Sequence, residues 1–290
     1  MFKSRPIVLG LLALLCAGAR ADEGMHVFWE VTGRHNTLYL LGSVHLLHNN
    51  DRALPSVTEA AYLDAETVVE EVDLFAATAD LAGSAGLALQ TLQPGQTLAA
   101  VLGPELHARL QKEAAALHID TDLLSSMQPW YVAMLLTQTR LLQQGFSPTD
   151  GVDFQIAERA RRDGKPLRGL ETAVEQLSLF ADLSLEDQRD FLLTTLDEPD
   201  AGKELADITA AWRRGDLALL ESLLRQGAEE SPAFFKTLTT DRNLRWLPQL
   251  EKMLADPVND FLVVTGALHM VGSDGLVTLL RKQGYKVVQK

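Results

Sequence analysis

Two apolar runs near opposite ends of the chain set the terms for its fold. Residues 39–47 read YLLGSVHLL and residues 261–270 read FLVVTGALHM. A strand with apolar side chains on both faces needs cover on both sides, so each run predicts a strand inside a sheet flanked by helices. Each run also places a glycine three residues before a histidine: Gly42 with His45, and Gly266 with His269. Strands this far apart in sequence can share a sheet only if the chain between them folds around it.

The remaining patterning agrees with such a sheet. Residues 26–31 alternate apolar and polar side chains, Gly33-Arg34-His35-Asn36 reads as a turn, and residues 37–44 complete a hairpin. A helix is expected over 54–64 and a valine-rich strand over 66–74. Apolar residues recur at helical spacing in 104–117, 128–144 and 152–162, and residues 165–171 form a short strand. A second helical block covers 172–255; strand 260–266, helix 274–283 and strand 285–289 close the chain. The expected class is α/β (α+β), a central mixed sheet built from strands near both chain ends and surrounded by helices. One domain spans 22–290, with helical insertions at about 76–162 and 172–255. Strand order and direction are not readable from these patterns.

The first 21 residues read as a secretory signal peptide, with Lys3 and Arg5 before a short apolar run and Ala19-Arg20-Ala21 at the cleavage point. The expected location is therefore the periplasm or the exterior. No later stretch offers the roughly 20 apolar residues of a membrane helix. Cleavage would remove Cys16, the only cysteine, which excludes a cysteine nucleophile, an iron–sulfur cluster and a thiolate zinc site. It would also remove Lys3, Arg5 and Arg20 and no acid, taking the net charge from −13 to −16. Such acidity argues against nucleic acid and anionic membranes as partners.

A strand would deliver each of His45 and His269 to its C-terminal end, the usual place for active residues in sheets flanked by helices. The glycine before each lets the backbone bend or another group approach closely. A lone G-x-x-H is a poor motif and either histidine could be structural; the shared context makes the pair informative. In TVVEEVDL, neighbouring side chains point to opposite faces, so one of Glu70 and Glu71 turns inward or towards a sheet end. A carboxylate inside such a strand is costly unless paired or metal-bound, the alternative being an edge strand with solvated acids. Glu171 lies where a short strand meets a helix, a position that charge complementarity with the helix N-terminus explains by itself. Arg242 and Asn243 open the helix of DRNLRWLPQL, where capping by Asp241 and surface polarity would account for them. His48 reads as a loop residue or an outer ligand. Trp29, Trp130, Trp212 and Trp246 are too scattered for a binding platform and read as core.

Taken in order, FWEVTGRHNTLYLLGSVHLL, LPSVTEAAYLDAETVVEEVDL, GVDFQIAERARRDGKPLRGLETAVEQL, DRNLRWLPQLEKML and FLVVTGALHMVGSDGLVTLLRKQGYKV resemble the TraB/GumN family, which includes the animal Tiki proteases. The resemblance covers nearly all of 22–290, least clearly 76–145 and 184–230. It implies a fold like that of erythromycin esterases and ChaN haem-binding proteins. It also implies one active site holding His45, His269, Glu71, Glu171 and Arg242, with Asn243, Gly42 and Gly266 lining the substrate. His45, Glu71 and His269 are the implied ligands of a divalent ion, manganese or cobalt, with zinc a further option. Such an ion would acidify a bound water and polarise a carbonyl, while Arg242 steadied the developing oxyanion.

Three functions compete on this reading. The leading one is an exported, metal-dependent hydrolase acting on a peptide or protein substrate. The second keeps the site but uses a histidine base on water without a metal. The third is a binding protein that sequesters a peptide or a haem-like ligand. Neither the substrate nor the oligomeric state is readable from the sequence.

Overall fold

Leu38, Leu40 and Leu41 lose all contact with solvent because the strand that carries them lies in the middle of a six-stranded sheet. The computed structural model describes residues 25–290 except 198, 199 and 231. The signal-peptide reading of residues 1–21 lies outside the described residues.

The chain opens with β1 (Phe28–Thr32), β2 (Thr37–Ser43), the short β3 (Leu47–His48), α1 (Ser56–Asp64) and β4 (Thr67–Glu70). A helical stretch follows: α2 (Leu74–Ala82), α3 (Ser84–Gln90), α4 (Leu98–Ala116) and α5 (Pro129–Gln143). Next come β5 (Phe146–Ser147), α6 (Val152–Asp163), β6 (Leu167–Gly169), α7 (Ala173–Ala181), α8 (Leu185–Asp197) and α9 (Ala201–Arg213). The chain ends with α10 (Leu217–Glu230), α11 (Pro232–Leu238), α12 (Thr240–Leu254), β7 (Phe261–Gly266), α13 (Leu276–Lys282) and β8 (Lys286–Gln289).

The main sheet runs β6-β4-β7-β2-β1-β8. Strands β6, β4, β7 and β2 are parallel, while β1 is antiparallel to both β2 and β8. The fold is thus the mixed sheet within helices that the patterning predicts, with β2 and β7 adjacent in a six-residue register from Leu38↔Phe261 to Ser43↔Gly266. That pairing sets the segments after Ser43 and after Gly266 side by side. The C-terminal ends of all four parallel strands share one edge, where an α/β sheet binds its ligands.

Several boundaries are tighter than the patterning predicts. The strand expected over 66–74 stops at Glu70, because Asp73 caps α2 by accepting from the N–H groups of Phe75 and Ala76. The helix N-terminal to β4 is closed by Lys165, whose ammonium donates to the carbonyls of Tyr62 and Ala65. A capping box of Thr172 and Glu175 starts α7 directly after Glu171. The four tryptophans are buried, and the Nε1 of Trp212 donates to the carbonyl of Gly42. A second core joins α4, α5 and α8 through Leu110, Leu136 and Leu192, away from the sheet edge. No helix of the described residues is long and apolar enough to cross a membrane.

Candidate active site at the sheet edge

His45 leaves the end of β2, Glu70 and Glu71 the end of β4, Glu171 the segment after β6, and His269 the turn after β7. Four separate strands therefore deliver their acid–base residues to one edge. His45 Nε2 lies 4.0 Å and His269 Nε2 3.8 Å from Glu71 Oε1. The convergence expected of the two G-x-x-H stretches is met.

Gly266 explains half of that motif. Its backbone is ordinary extended chain, so left-handed geometry is not the reason for glycine. A Cβ there would stand 3.3 Å from Glu71 Oε1 and 3.6 Å from both His45 Nε2 and His269 Cδ2, in the space the three side chains share. Its N–H also donates to Glu71 Oε1 at 2.7 Å. Gly266→Ala is expected to fold with a loss of at most about 1–3 kcal/mol. Any activity of the cleft should fall about 100-fold, because the added methyl displaces the converging groups; denaturation and turnover measured on one preparation check this. Gly42 plays a different part from the substrate contact expected of it. It faces Val27 and the backbone of Ala267, so its missing side chain serves packing beneath the site.

Arg242 is the hub of the site. It lies on α12, buried, rather than on the surface that its position at a helix start suggests; Asp241 pairs with Lys236 instead of capping the helix. Nε donates to Glu171 Oε1 at 3.0 Å, and Nη2 donates to Glu171 Oε1 at 2.6 Å and to Glu71 Oε2. Nη1 donates to the Leu238 carbonyl at 3.2 Å and to His269 Nε2 at 3.0 Å. All five guanidinium N–H groups are thereby used. The oxyanion contact expected of Arg242 has no donor left to make it, and its role here is to organise two carboxylates and an imidazole. The guanidinium also lies 4.5 Å from the ring centroid of Trp246, which packs in turn against His269.

The two histidines differ. An arginine cannot accept, so His269 Nε2 receives the Arg242 proton and Nδ1–H donates to Asn243 Oδ1 at 2.7 Å. Asn243 Nδ2 then binds the carbonyls of His269 and Asp274, which makes Asn243 a brace for the turn rather than a substrate contact. Burial, with Arg242 alongside, lowers the His269 pKa to about 4, so its ring is neutral. Neither of its nitrogens is free. His45 is the opposite case: its side chain is half exposed, and only Nδ1 is engaged, with Asp153 Oδ1 at 3.0 Å. The Asp153 carboxylate outweighs burial and raises the His45 pKa to about 10. Burial works to raise the pKa of Glu71, yet the His269 and His45 imidazoles, Arg242 and the Gly266 N–H outweigh it and keep the group ionised.

Asp153 and Gln176 escape the reading of the sequence, and of the two acids Glu70 and Glu71 that it singled out, both are buried. Asp153 begins α6, and Gly151 before it lets that helix start abut the His45 carbonyl, where any side chain would collide. The Val152 N–H completes the contact by donating to the Val44 carbonyl. The local signal was the G-V-D at a helix start, which carries meaning only once His45 is known to lie opposite. Gln176 on α7 donates to Glu71 Oε2 at 3.2 Å. Glu70 is buried to 1% exposure, and burial raises its pKa to about 9. His48 stacks on Phe146 and is no part of the site.

The donor set does not fit a divalent ion. The His269 lone pair that would bind it is occupied by Arg242, whose charge already stands against Glu71. Among the described residues no group of three or more His, Cys, Asp or Glu side chains is arranged to hold one ion. A cleft of about 400 Å³ opens on His45, Glu71 and Asp153, walled by Leu74, Phe154 and Val264.

The profile of the TraB/PrgY/gumN family matches residues 27–289. The uncharacterized protein YbaP of Escherichia coli strain K12 is 24% identical over 280 residues, covering 90% of this chain and 96% of that protein. YbaP of Shigella flexneri matches with the same identity and coverage. An uncharacterized protein of Treponema pallidum is 24% identical over 167 residues, 56% of this chain and 48% of its own. No solved structure matches the chain.

Proposed function

The chain belongs to the TraB/PrgY/gumN family, and from that premise we propose that the cleft is the active site of an exported hydrolase that cleaves a peptide bond with His45 as its base and no metal ligand set. The observation that carries the reading is the asymmetry of the two histidines: His45 offers a free Nε2 to the cleft, while both nitrogens of His269 are bound within the protein. The peptide bond comes from the resemblance to the Tiki proteases.

Asp153 takes the Nδ1 proton of His45 as a hydrogen bond and so leaves the Nε2 lone pair facing the cleft. The 4.0 Å gap between His45 Nε2 and Glu71 Oε1 suits a group bonded to both, such as a water. His45 would remove a proton from that water as it attacks the carbonyl carbon, and would return the proton to the leaving amine nitrogen. Asp153 would stabilise the imidazolium formed in between. Glu71, held by Arg242, would orient the water without exchanging protons, and His269 would only help to hold Arg242 in place.

The pH profile tests this. The base form of His45 accumulates as pH rises towards about 10, so hydrolysis of a peptide library should climb through the alkaline range. Asp153→Asn removes the charge that raises the pKa, and the rising limb should move to lower pH with a reduced plateau. Activity abolished by exhaustive chelation and restored by manganese or cobalt would replace this reading with the metal-dependent one. Saturable ligand binding without turnover at any pH would support a binding protein instead.

A further inference from the structure

Glu70 is costly and the catalytic arrangement does not use it. Its side chain lines the cleft near His45, Glu71 and Asp153, and neither carboxyl oxygen has a hydrogen-bond partner among the described residues. A buried carboxyl without a hydrogen-bond partner is among the most expensive groups a fold can hold. The cleft it borders has a definite chemistry. Glu70, Glu71 and Asp153 line it, His45 is the one basic side chain among its lining residues, and no lysine or arginine is among them. Leu46, Val72, Leu74 and Phe154 supply apolar walls. Its volume of about 400 Å³ suits one side chain and its backbone rather than a long ligand.

We infer that Glu70 is a specificity-determining residue that accepts hydrogen bonds from the primary ammonium of a peptide's free N-terminus, with the first side chain, an apolar one, held between Leu74 and Phe154. A primary ammonium brings up to three donors to a place where two acceptor oxygens are unpartnered, and its charge would take the place of the proton on Glu70. A carboxylate ligand would bring no donor to those oxygens and would meet the carboxylates of Glu71 and Asp153. The cleft therefore takes amines with an apolar substituent, and on the hydrolase reading it removes residues one at a time from an amino terminus. Recognition of the amine does not depend on turnover.

Calorimetric titration with leucinamide, N-acetylleucinamide and free leucine at constant pH tests the inference. Leucinamide should bind at least tenfold more tightly than its acetylated form, and leucine, which adds a carboxylate, should bind more weakly than leucinamide. Glu70→Gln and Glu70→Leu should each reduce the preference for the free amine at least tenfold. Both variants remove an unsatisfied carboxyl, so they should melt no lower than the parent, which keeps the binding result interpretable. Equal binding of the amine and its acetyl form, no binding of either, or an undiminished preference in Glu70→Gln would each overturn the assignment. Amine preference without any peptide cleavage would sink the hydrolase reading alone. Cleavage with no amine preference would sink this one alone.

Discussion

Arg242→Met should cost about 3–5 kcal/mol of folding stability and abolish any activity of the cleft, the largest effect expected of one substitution at the site. Methionine matches the length of the side chain but leaves Glu71 and Glu171, each under a tenth exposed, as buried carboxylates without their cation. Arg242→Lys should recover little, because one ammonium cannot make five bonds in a planar fork. The dependence on pH separates this from ordinary loss of packing. In the parent protein Glu71 titrates below the ordinary carboxylate value of 4.5. Its contribution is therefore complete above 4.5 and disappears as pH falls through the lower folded-state value. Without Arg242 the buried carboxylate is pushed upward instead, and protonation relieves it. The deficit of Arg242→Met, measured by urea denaturation, should accordingly shrink as pH falls below about 4.5. A deficit constant between pH 7 and 4 would mean that shape, not charge, is what Arg242 contributes.

The two histidines should fail in different ways. His45→Ala removes a half-exposed side chain whose charge pairs with Asp153, so a stability loss of about 1 kcal/mol that fades as pH rises towards about 10 should accompany a turnover loss of about 10²–10⁴-fold. Added imidazole should restore part of that loss, since the opened position faces solvent. His269→Ala leaves an Arg242 N–H and Asn243 Oδ1 without partners in a buried place, costing about 1–3 kcal/mol, and imidazole should not rescue it. The parent protein also has a sign to check. Burial lowers the His269 pKa from 6.5 to about 4, so between these values the unfolded chain binds more protons than the folded one. Stability contributed by neutral His269 is complete above 6.5 and is lost as pH falls towards 4. His269→Ala lacks that loss, and its deficit should narrow across the same window. Equal loss of activity, equal destabilisation and no rescue for both variants would show that the histidines play one structural role.

Much of this molecule is legible in one dimension. Apolar runs with no polar face could only be interior strands, so 39–47 and 261–266 announced a covered sheet, and helical spacing marked the segments that cover it. The glycine–histidine pairs and the acids beside valines were visible because imidazole and carboxylate are out of place there. What the pattern could not carry is which partner each polar group meets. Arg242 has the same local sequence whether it lies on a surface or is buried between two glutamates; α12 packing beside the sheet decided for burial. Likewise, both histidines follow a glycine by three residues. One turns towards α12 and has both nitrogens bound; the other turns towards the start of α6 and keeps Nε2 open. Asp153 acquires significance only from a neighbour 108 residues away, and Glu70 only from a buried carboxyl without a hydrogen-bond partner among the described residues. Periodicity along a chain is set by the geometry of a single helix or strand, so sequence alone determines which faces are buried. Hydrogen bonding and charge pairing act over a few ångströms in space, and only the tertiary structure decides which residues come that close.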